Sequence, residues 1–330
     1  MVGARIFELS WFLFIFLTCT LSPIHGAIKK QSRRIRRSGP NVCGGQKCCS
    51  GWQPAAVGQG LCIQPICNFN CGTGICVQPN LCLCETGQYK PTCTQSGTEL
   101  DVVIGSHDHV GHGRSEGERT MIDTFDTYVE DIFTHCDQMK ESYPDIPVYL
   151  FGHSMGGSIA IVAACSKPEY FQAVVLSAPG IVVDPSVQPG AFKVFVARLM
   201  SRILPRVEIV PPLDPNVISS DPDQVEAYRT DPLVWHGGFK MKFATVFGDT
   251  MDRIKQLIPT IEWPFLVIHG DADKLTYIGG SQLLEKEAKS QDKEIKIYKG
   301  LKHEMLNEVK EEADKVKSDI LEWLRKRIPC

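Results

Sequence analysis

A serine flanked by glycines is the clearest candidate for chemistry in this sequence. Ser154 stands in the sequence Gly-His-Ser-Met-Gly, with an apolar run at 148–151 before it and a small-residue run at 158–164 after it. Strand, sharp turn and helix in that order form a nucleophile elbow, where glycine avoids clashes beside a strained serine. The backbone N–H of Met155 would then point to where an oxyanion forms. The alternative is a tight strand–helix turn without chemistry.

A nucleophilic serine needs a base, and the base needs a carboxylate to orient it. In α/β hydrolases, whose motif this segment resembles, an acid and then a histidine follow the serine along the chain. His303 is the predicted base, because it lies in a loop between the last strand and the last helix; His236 and His269 are the other histidines in this part. Asp273 is the predicted acid and Asp271 the alternative, although either could be a turn residue.

Three further histidines, His107, His109 and His112, lie in a glycine-rich loop after an apolar strand. They could bind a metal ion, but no carboxylate or cysteine set in the sequence completes a site. The other interpretation is a turn in which the Asp108 carboxylate accepts hydrogen bonds from backbone N–H groups. We therefore expect no metal ion and no cofactor.

Strands alternate with helices along the hydrolase-like part, which is typical of a mostly parallel α/β sheet. Apolar residues at helical spacing predict amphipathic helices from Met121 to Met139 and from Val309 to Leu324. The predicted strands are Leu100–Gly105, the run at 148–151, Val174–Leu176, Phe265–Ile268 and Glu294–Tyr298.

Residues 181–263 are too many for a loop and predict a helical cap over the sheet. Apolar residues crowd between Phe192 and Leu204, so a helix there would be apolar nearly all round. We expect this helix to be buried inside the cap. The other interpretation is a cap rim that admits an acyl chain or touches a membrane surface.

Cysteine is distributed unevenly over the 330 residues. Ten of the 14 cysteines fall between Cys43 and Cys93, which indicates a disulfide-dense segment joined to a segment of ordinary cysteine content. The net charge of −3 gives no case for nucleic-acid binding.

The N-terminus reads as a targeting segment followed by a processing site. An apolar run at 11–17 before Gly26 predicts a signal peptide over residues 1–26, with an uncleaved anchor as the alternative. Residues 27–37 form a basic propeptide-like segment, and Arg34-x-Arg36-Arg37 looks like a convertase cleavage site; the other interpretation is a solvated basic tail. We therefore expect a secreted protein.

The cysteine-rich segment resembles two extracellular modules. Its last six cysteines, over residues 67–93, have the spacing of an EGF-like module, and the four-cysteine motif at 38–66 is similar to the N-terminal region of fibrillins. The resemblance implies extracellular-matrix partners, and zinc binding is the rival reading. The pairing of Cys43, Cys48, Cys49 and Cys62 stays open. The EGF resemblance implies the disulfides Cys67–Cys76, Cys71–Cys82 and Cys84–Cys93.

Residues 99–328 resemble the monoglyceride lipase family. The resemblance implies hydrolysis of a monoacylglycerol or similar ester, with Ser154 as nucleophile, Asp273 orienting and His303 as base, and with Met155 N–H as one oxyanion donor. It rests on the motifs His107–Gly113, Gly152–Gly157, Asp231–Leu233, Ala288–Lys293 and Lys296–Tyr298.

Compared with the family that it resembles, this segment lacks the N-terminal strands of the sheet. Family members carry three earlier strands and a loop that supplies a second oxyanion donor, but the cysteine module occupies their place. We therefore predict an incomplete α/β-hydrolase sheet with a helical cap over residues 99–330, an unpaired edge beside the elbow strand, and an impaired site. The alternative is a matrix-binding protein whose hydrolase part is inert.

Overall fold

The computed structural model describes residues 100–144 and 146–328, with side chains from residue 103 onward. Before residue 100 it describes only the backbone of short strands. Contacts divide the chain into two units, one made of residues 20–99 and the other of residues 2–19 and 100–330.

The described strands of the cysteine-rich unit form three small antiparallel sheets. Ile75–Gln78 and Leu81–Leu83 make a hairpin in which Cys76 stands opposite Cys82, and Tyr89–Lys90 adds a third strand. The other two sheets pair Val42–Cys43 with Lys47–Cys48 and Trp52–Gln53 with Gln64–Pro65. The cysteine side chains lie outside the described residues, so the disulfide pairing stays a prediction.

A six-stranded sheet organises the hydrolase-like unit. Its strands are β1 (Phe12–Cys19), β2 (Leu100–Gly105), β3 (Val148–His153), β4 (Ala173–Ser177), β7 (Phe265–Gly270) and β8 (Lys293–Tyr298). A separate two-stranded ribbon contains β5 (Glu208–Val210) and β6 (Phe239–Lys240). The order across the sheet is β8-β7-β4-β3-β1-β2, and the pairs from β3 to β8 are parallel, as predicted.

The prediction of an unpaired edge beside the elbow strand is wrong. The segment β1 lies between β3 and β2 and pairs antiparallel with both, with Phe12 opposite Gly152 and Phe16 opposite Val148. An apolar run rich in aromatic and β-branched residues favours a strand, and the backbone groups of the elbow strand need partners. A segment predicted as a signal peptide thus takes this place in the sheet.

The helices have the following bounds: α1 (Asp126–Ser142), α2 (Met155–Ser166), α3 (Ala191–Met200), α4 (Pro222–Thr230), α5 (Met241–Leu257), α6 (Ile278–Glu287) and α7 (Lys310–Arg325). Short 3₁₀ turns cover Pro215–Val217, Ile258–Thr260 and Met305–Asn307. The predicted helix from Met121 begins only at Asp126, whereas α7 lies within one residue of its predicted bounds. Among the residues that the structure describes, no helix combines the length and apolar character that a membrane span needs.

The parallel strands separate two apolar cores. Alternate residues of a strand point to opposite faces, so Val148 and Leu150 enter the core beneath α1 and α2, while Tyr149 and Phe151 enter the core beneath α7. Helix α2 is buried over Met155–Ala164. The elbow serine therefore stands at the start of a helix that is buried over its first ten residues.

The expectation of a buried helix between Phe192 and Leu204 is wrong in its burial. Helix α3 forms there, but none of its residues is buried. Phe192 is 78% exposed and Phe195 63% exposed, and exposed apolar side chains continue to Val210. A segment that is apolar all round has the same periodicity whether it is covered or not, so the sequence cannot distinguish the two cases.

Candidate active site

The elbow predicted around Ser154 is present. Ser154 has φ +55° and ψ −121°, a conformation that a non-glycine residue adopts only when its surroundings impose it. Its N–H donates to the Ser177 carbonyl at 2.9 Å. A Cβ on Gly152 would lie 2.5 Å from the Gly156 carbonyl oxygen, so only glycine fits there. Met155 begins α2, and its N–H belongs to the first turn, where N–H groups lack a partner within the helix.

The predicted base and acid meet in the structure. His303 Nδ1 lies 2.7 Å from Asp273 Oδ2, and the two side chains are 2% and 0% exposed. Asp273 Oδ2 also accepts from Thr276 Oγ1 at 2.7 Å and lies 3.2 Å from His269 Nε2. These four side chains, His269, Asp273, Thr276 and His303, are called the Asp273 cluster below.

The protonation of the pair follows from burial and hydrogen bonding. Burial raises the pKa of Asp273, but its hydrogen bonds with His269 and His303 outweigh this and hold the pKa well below its usual range. Burial lowers the pKa of His303, and the hydrogen bond to Asp273 only partly opposes it. An ionised carboxylate behind a neutral imidazole is the resting state that a general base requires.

His303 lies beside the elbow. Its ring centroid is 4.6 Å from that of His153, the residue before Ser154. Its other nitrogen, Nε2, is buried and has no hydrogen-bond partner within the described part of the chain. The nitrogen opposite the carboxylate is therefore available to take a proton.

An ion pair between His153 and Glu304 borders the His303 imidazole, and the sequence patterns did not predict it. His153 Nε2 lies 3.1 Å from Glu304 Oε1, and Asn307 Nδ2 donates to the other oxygen of Glu304 at 2.9 Å. Burial opposes both charges, but each partner stabilises the other, so the pKa of His153 is raised and that of Glu304 is lowered to about 2. The charge on His153 adds to the lowering of the His303 pKa.

The remaining sequence candidates, Asp271, His236 and His269, have other roles. Asp271 is exposed, and its Oδ1 accepts from the Gly300 N–H at 2.6 Å, so it acts as a turn residue. His236 lies exposed in the cap, where Nε2 contacts the Asp231 carbonyl at 3.1 Å. His269 is fully buried, with Nδ1 2.8 Å from Ser281 Oγ, and its Nε2 contacts the acid Asp273.

The loop after β2 forms the turn predicted for it. Asp108 Oδ2 accepts from the Arg114 N–H at 2.9 Å, and Gly113 has φ +49° against the Asp108 carboxyl group. A Cβ on Gly113 would overlap that carboxyl group, so the turn requires glycine here. The carboxylate thus ties the two sides of the loop together.

A carboxylate does join two of the histidines in this loop, contrary to the expectation. Asp131 on α1 brings Oδ2 to 3.4 Å from His109 Nδ1, which lies 3.2 Å from His107 Nε2. His107, His109 and Asp131 are called the Asp131 cluster below. Burial lowers the pKa of His107 to about 3, aided by nearby His109 and His135. Asp131 lies 22 residues from His109 along the chain, and no local pattern in the sequence connects them.

Comparison with known proteins agrees with this geometry. The family described as serine aminopeptidase, S33 matches residues 88–310. The human monoglyceride lipase is 39% identical over 69% of this chain and 75% of its own length, and the monoacylglycerol lipase of Mycolicibacterium smegmatis is 33% identical over 73% and 84%. Among solved structures, the Paleococcus ferrophilus monoacylglycerol lipase has a TM-score of 0.58 at 30% identity, covering 70% of this chain and 84% of that one.

Proposed function

Because this chain belongs to the serine aminopeptidase S33 family of α/β hydrolases, and is of the monoglyceride lipase type, we propose that it is an esterase that hydrolyses monoacylglycerols. One observation carries the proposal. The buried His303–Asp273 pair lies beside the strained Ser154 elbow, with the free nitrogen of the imidazole facing away from the carboxylate. Nucleophilic acyl transfer needs these three groups in this order.

The reaction follows from the arrangement of these groups. His303 Nε2 takes the proton of Ser154 Oγ as the oxygen attacks the ester carbonyl, and Asp273 stabilises the imidazolium that forms. The Met155 N–H donates to the oxyanion of the tetrahedral intermediate. The imidazolium then protonates the leaving glycerol oxygen, which leaves an acyl-serine. Water then attacks the acyl carbon as the same imidazole takes its proton, and this proton passes to Ser154 Oγ as the bond to the acyl group breaks and the fatty acid leaves.

The cap supports a substrate with an acyl chain. Relatives named for monoacylglycerol hydrolysis cover most of the hydrolase-like unit, and α3 exposes Phe192, Phe195 and Leu199. An apolar rim of this kind can receive an acyl chain or rest on a lipid surface. We therefore place the fatty-acid end of the substrate, and contact with membranes, at this helix.

We expect this chain to hydrolyse esters more slowly than family members that have two oxyanion donors. The resemblance implies a second oxyanion donor from a loop whose place the cysteine module occupies. Removing one such donor typically lowers the rate by about 10²–10³. We expect kcat to fall below that of a relative with both donors by roughly this factor.

The decisive experiment labels the full chain with a fluorophosphonate probe and follows fatty acid released from a monoacylglycerol. The wild type should be labelled and should release fatty acid, whereas Ser154→Ala should do neither. Ser186→Ala, an exposed serine in the loop before α3, is the matched control and should behave as wild type. Equal labelling of wild type and Ser154→Ala would overturn the proposal.

The N-terminal residues suggest where in the organism this activity takes place. We propose, from the apolar N-terminal run and the dense cysteines, that the chain is secreted, is processed at Arg34–Arg37 and contacts matrix proteins through residues 38–93. Matrix association should survive Ser154→Ala but not reduction of the disulfides. If matrix association occurs without any esterase activity, the matrix-binding alternative with an inert hydrolase part is favoured instead.

A further inference from the structure

Three potential ligand atoms of the Asp131 cluster lie close together. His107 Nε2 and His109 Nδ1 are 3.2 Å apart, and His109 Nδ1 and Asp131 Oδ2 are 3.4 Å apart. Each of the three residues offers a ligand atom that lies within 4.8 Å of a ligand atom of the other two. They come from the loop after β2 and from α1, so the fold rather than local sequence brings them together.

The two separations that involve His109 match the edges of a metal tetrahedron. Zinc binds imidazole nitrogen and carboxylate oxygen at about 2.0–2.1 Å, which places neighbouring ligand atoms about 3.3 Å apart. Two nitrogens and one oxygen are a donor set that suits zinc, cobalt, nickel or copper, whereas magnesium and calcium prefer oxygen alone. Both observed separations fall at this edge length.

The cluster is reachable from solvent. A cleft of about 330 Å³ is lined by His107 and Asp131 together with Asp108, Thr134, His135 and Gln138. The Asp131 side chain is 36% exposed, whereas His109 is 1% exposed. A cation can therefore enter from the side of Asp131, and water from the cleft can complete its coordination.

We propose that His107, His109 and Asp131 bind a divalent transition-metal cation of the zinc class, with a water molecule as the fourth ligand. The cation would join the loop after β2 to α1. This site shares no residue with the Asp273 cluster, so the inference stands or falls independently of the esterase proposal. The rival explanation of the same distances is a chain of hydrogen bonds in which protons occupy the place of the cation.

Cobalt distinguishes the two explanations, because Co²⁺ occupies zinc sites and absorbs visible light. The full chain, stripped with a chelator and desalted, is titrated with Co²⁺. We expect one equivalent to produce a visible absorption band typical of nitrogen and oxygen ligands, and added Zn²⁺ to abolish it. Asp131→Asn and His107→Gln should each weaken Co²⁺ binding by at least about 10-fold, since even partners behind the ligands contribute 10–100-fold.

His236→Gln is the matched control, because it removes an exposed histidine from the cap and should leave the titration unchanged. Circular dichroism of each variant shows whether the fold is retained. Because the Asp131 side chain is partly exposed, we expect Asp131→Asn to disturb the fold less than His107→Gln. Any cysteine that is reduced would also bind these cations, but it would do so in every variant and add a thiolate charge-transfer band. The proposal is overturned if the wild type shows only that thiolate band, or if Asp131→Asn and His107→Gln bind as wild type.

Discussion

Two clusters in this molecule use the same residue types, aspartate and histidine, in different geometries. In the Asp273 cluster the carboxylate is fully buried and bonded on one side of His303, which leaves the opposite ring nitrogen for chemistry. In the Asp131 cluster the carboxylate is partly exposed, and one carboxylate oxygen and two imidazole nitrogens lie close together.

The contrast shows that residue type alone does not decide what such a cluster does. A carboxylate behind an imidazole fixes its tautomer and orientation, which is how a general base is built. Ligand atoms that surround a common point, open to water, suit a cation instead. Burial of the carboxylate and the direction of the second nitrogen are the features that separate the two arrangements.

The largest effect should come from the buried carboxylate. Asp273→Asn should lower kcat for monoacylglycerol hydrolysis by about 10³–10⁴, because an amide cannot stabilise the imidazolium or hold the required tautomer. The measurement is steady-state hydrolysis with the full chain. Asp271→Asn, two residues earlier and exposed, is the control and should retain activity. A similar loss in both variants would contradict the assignment of the acid.

The next effect tests how tightly the Asp273 cluster is built. A Cβ on Gly270 would overlap the carbonyl oxygens of Leu301 and Lys302, which lead into His303. Gly270→Ala should therefore lower the free energy of unfolding by about 1–3 kcal/mol and reduce activity.

Urea unfolding measures this change, with Gly248→Ala as control. Gly248 lies inside α5 and nothing meets its Cβ, so alanine there should raise stability by about 0.5–1 kcal/mol. If Gly270→Ala were as stable as wild type, the loop carrying the base would be looser than the structure shows.

A smaller effect concerns pH. The charge on His153 lowers the pKa of His303, and Glu304 raises it. His153→Gln removes the positive charge and leaves Glu304 uncompensated, so the pKa of His303 should rise. Since the base works only when neutral, the acid limb of the kcat/KM–pH profile should move to higher pH. An acid limb that stays in place would show that the pair has no influence on the base.

The smallest effect on stability should lie away from both clusters. Phe192→Ser and Phe195→Ser on α3 should change the free energy of unfolding by less than about 0.5 kcal/mol, since both side chains are exposed. Phe243→Ala in the buried core of α5 should cost about 3–5 kcal/mol by comparison. The α3 variants should still raise KM for a long-chain monoacylglycerol more than for a short soluble ester. Equal KM values would remove α3 from the proposed acyl-chain site.

The sequence predicted the features that are local or that follow from chain order. The elbow is a strand, a turn and a helix in immediate succession, so its pattern is complete within one continuous stretch, from Val148 to Ser166. Asp273 and His303 were selected by the order in which α/β hydrolases carry their groups, and the structure places them in contact.

What the sequence could not predict depends on partners that are far apart in the chain. Asp131 contacts His109 although they are 22 residues apart in the sequence, and Glu304 contacts His153 although they are 151 residues apart. No periodicity records such pairings, because they depend on how the sheet and helices pack. The exposure of α3 was missed for another reason: an apolar helix has the same pattern in a core and on a surface.

The antiparallel strand β1 is present only in a polypeptide that has kept residues 12–19. Its residues, Phe12–Cys19, are among those that a signal peptidase acting near Gly26 would discard. If the proposed cleavage occurs, the mature chain loses the neighbour of its elbow strand, whereas a chain with six strands in the sheet has kept residues 12–19. Under that proposal, cleavage and a six-stranded sheet exclude each other, and mass spectrometry of the intact purified protein would show whether these residues are present.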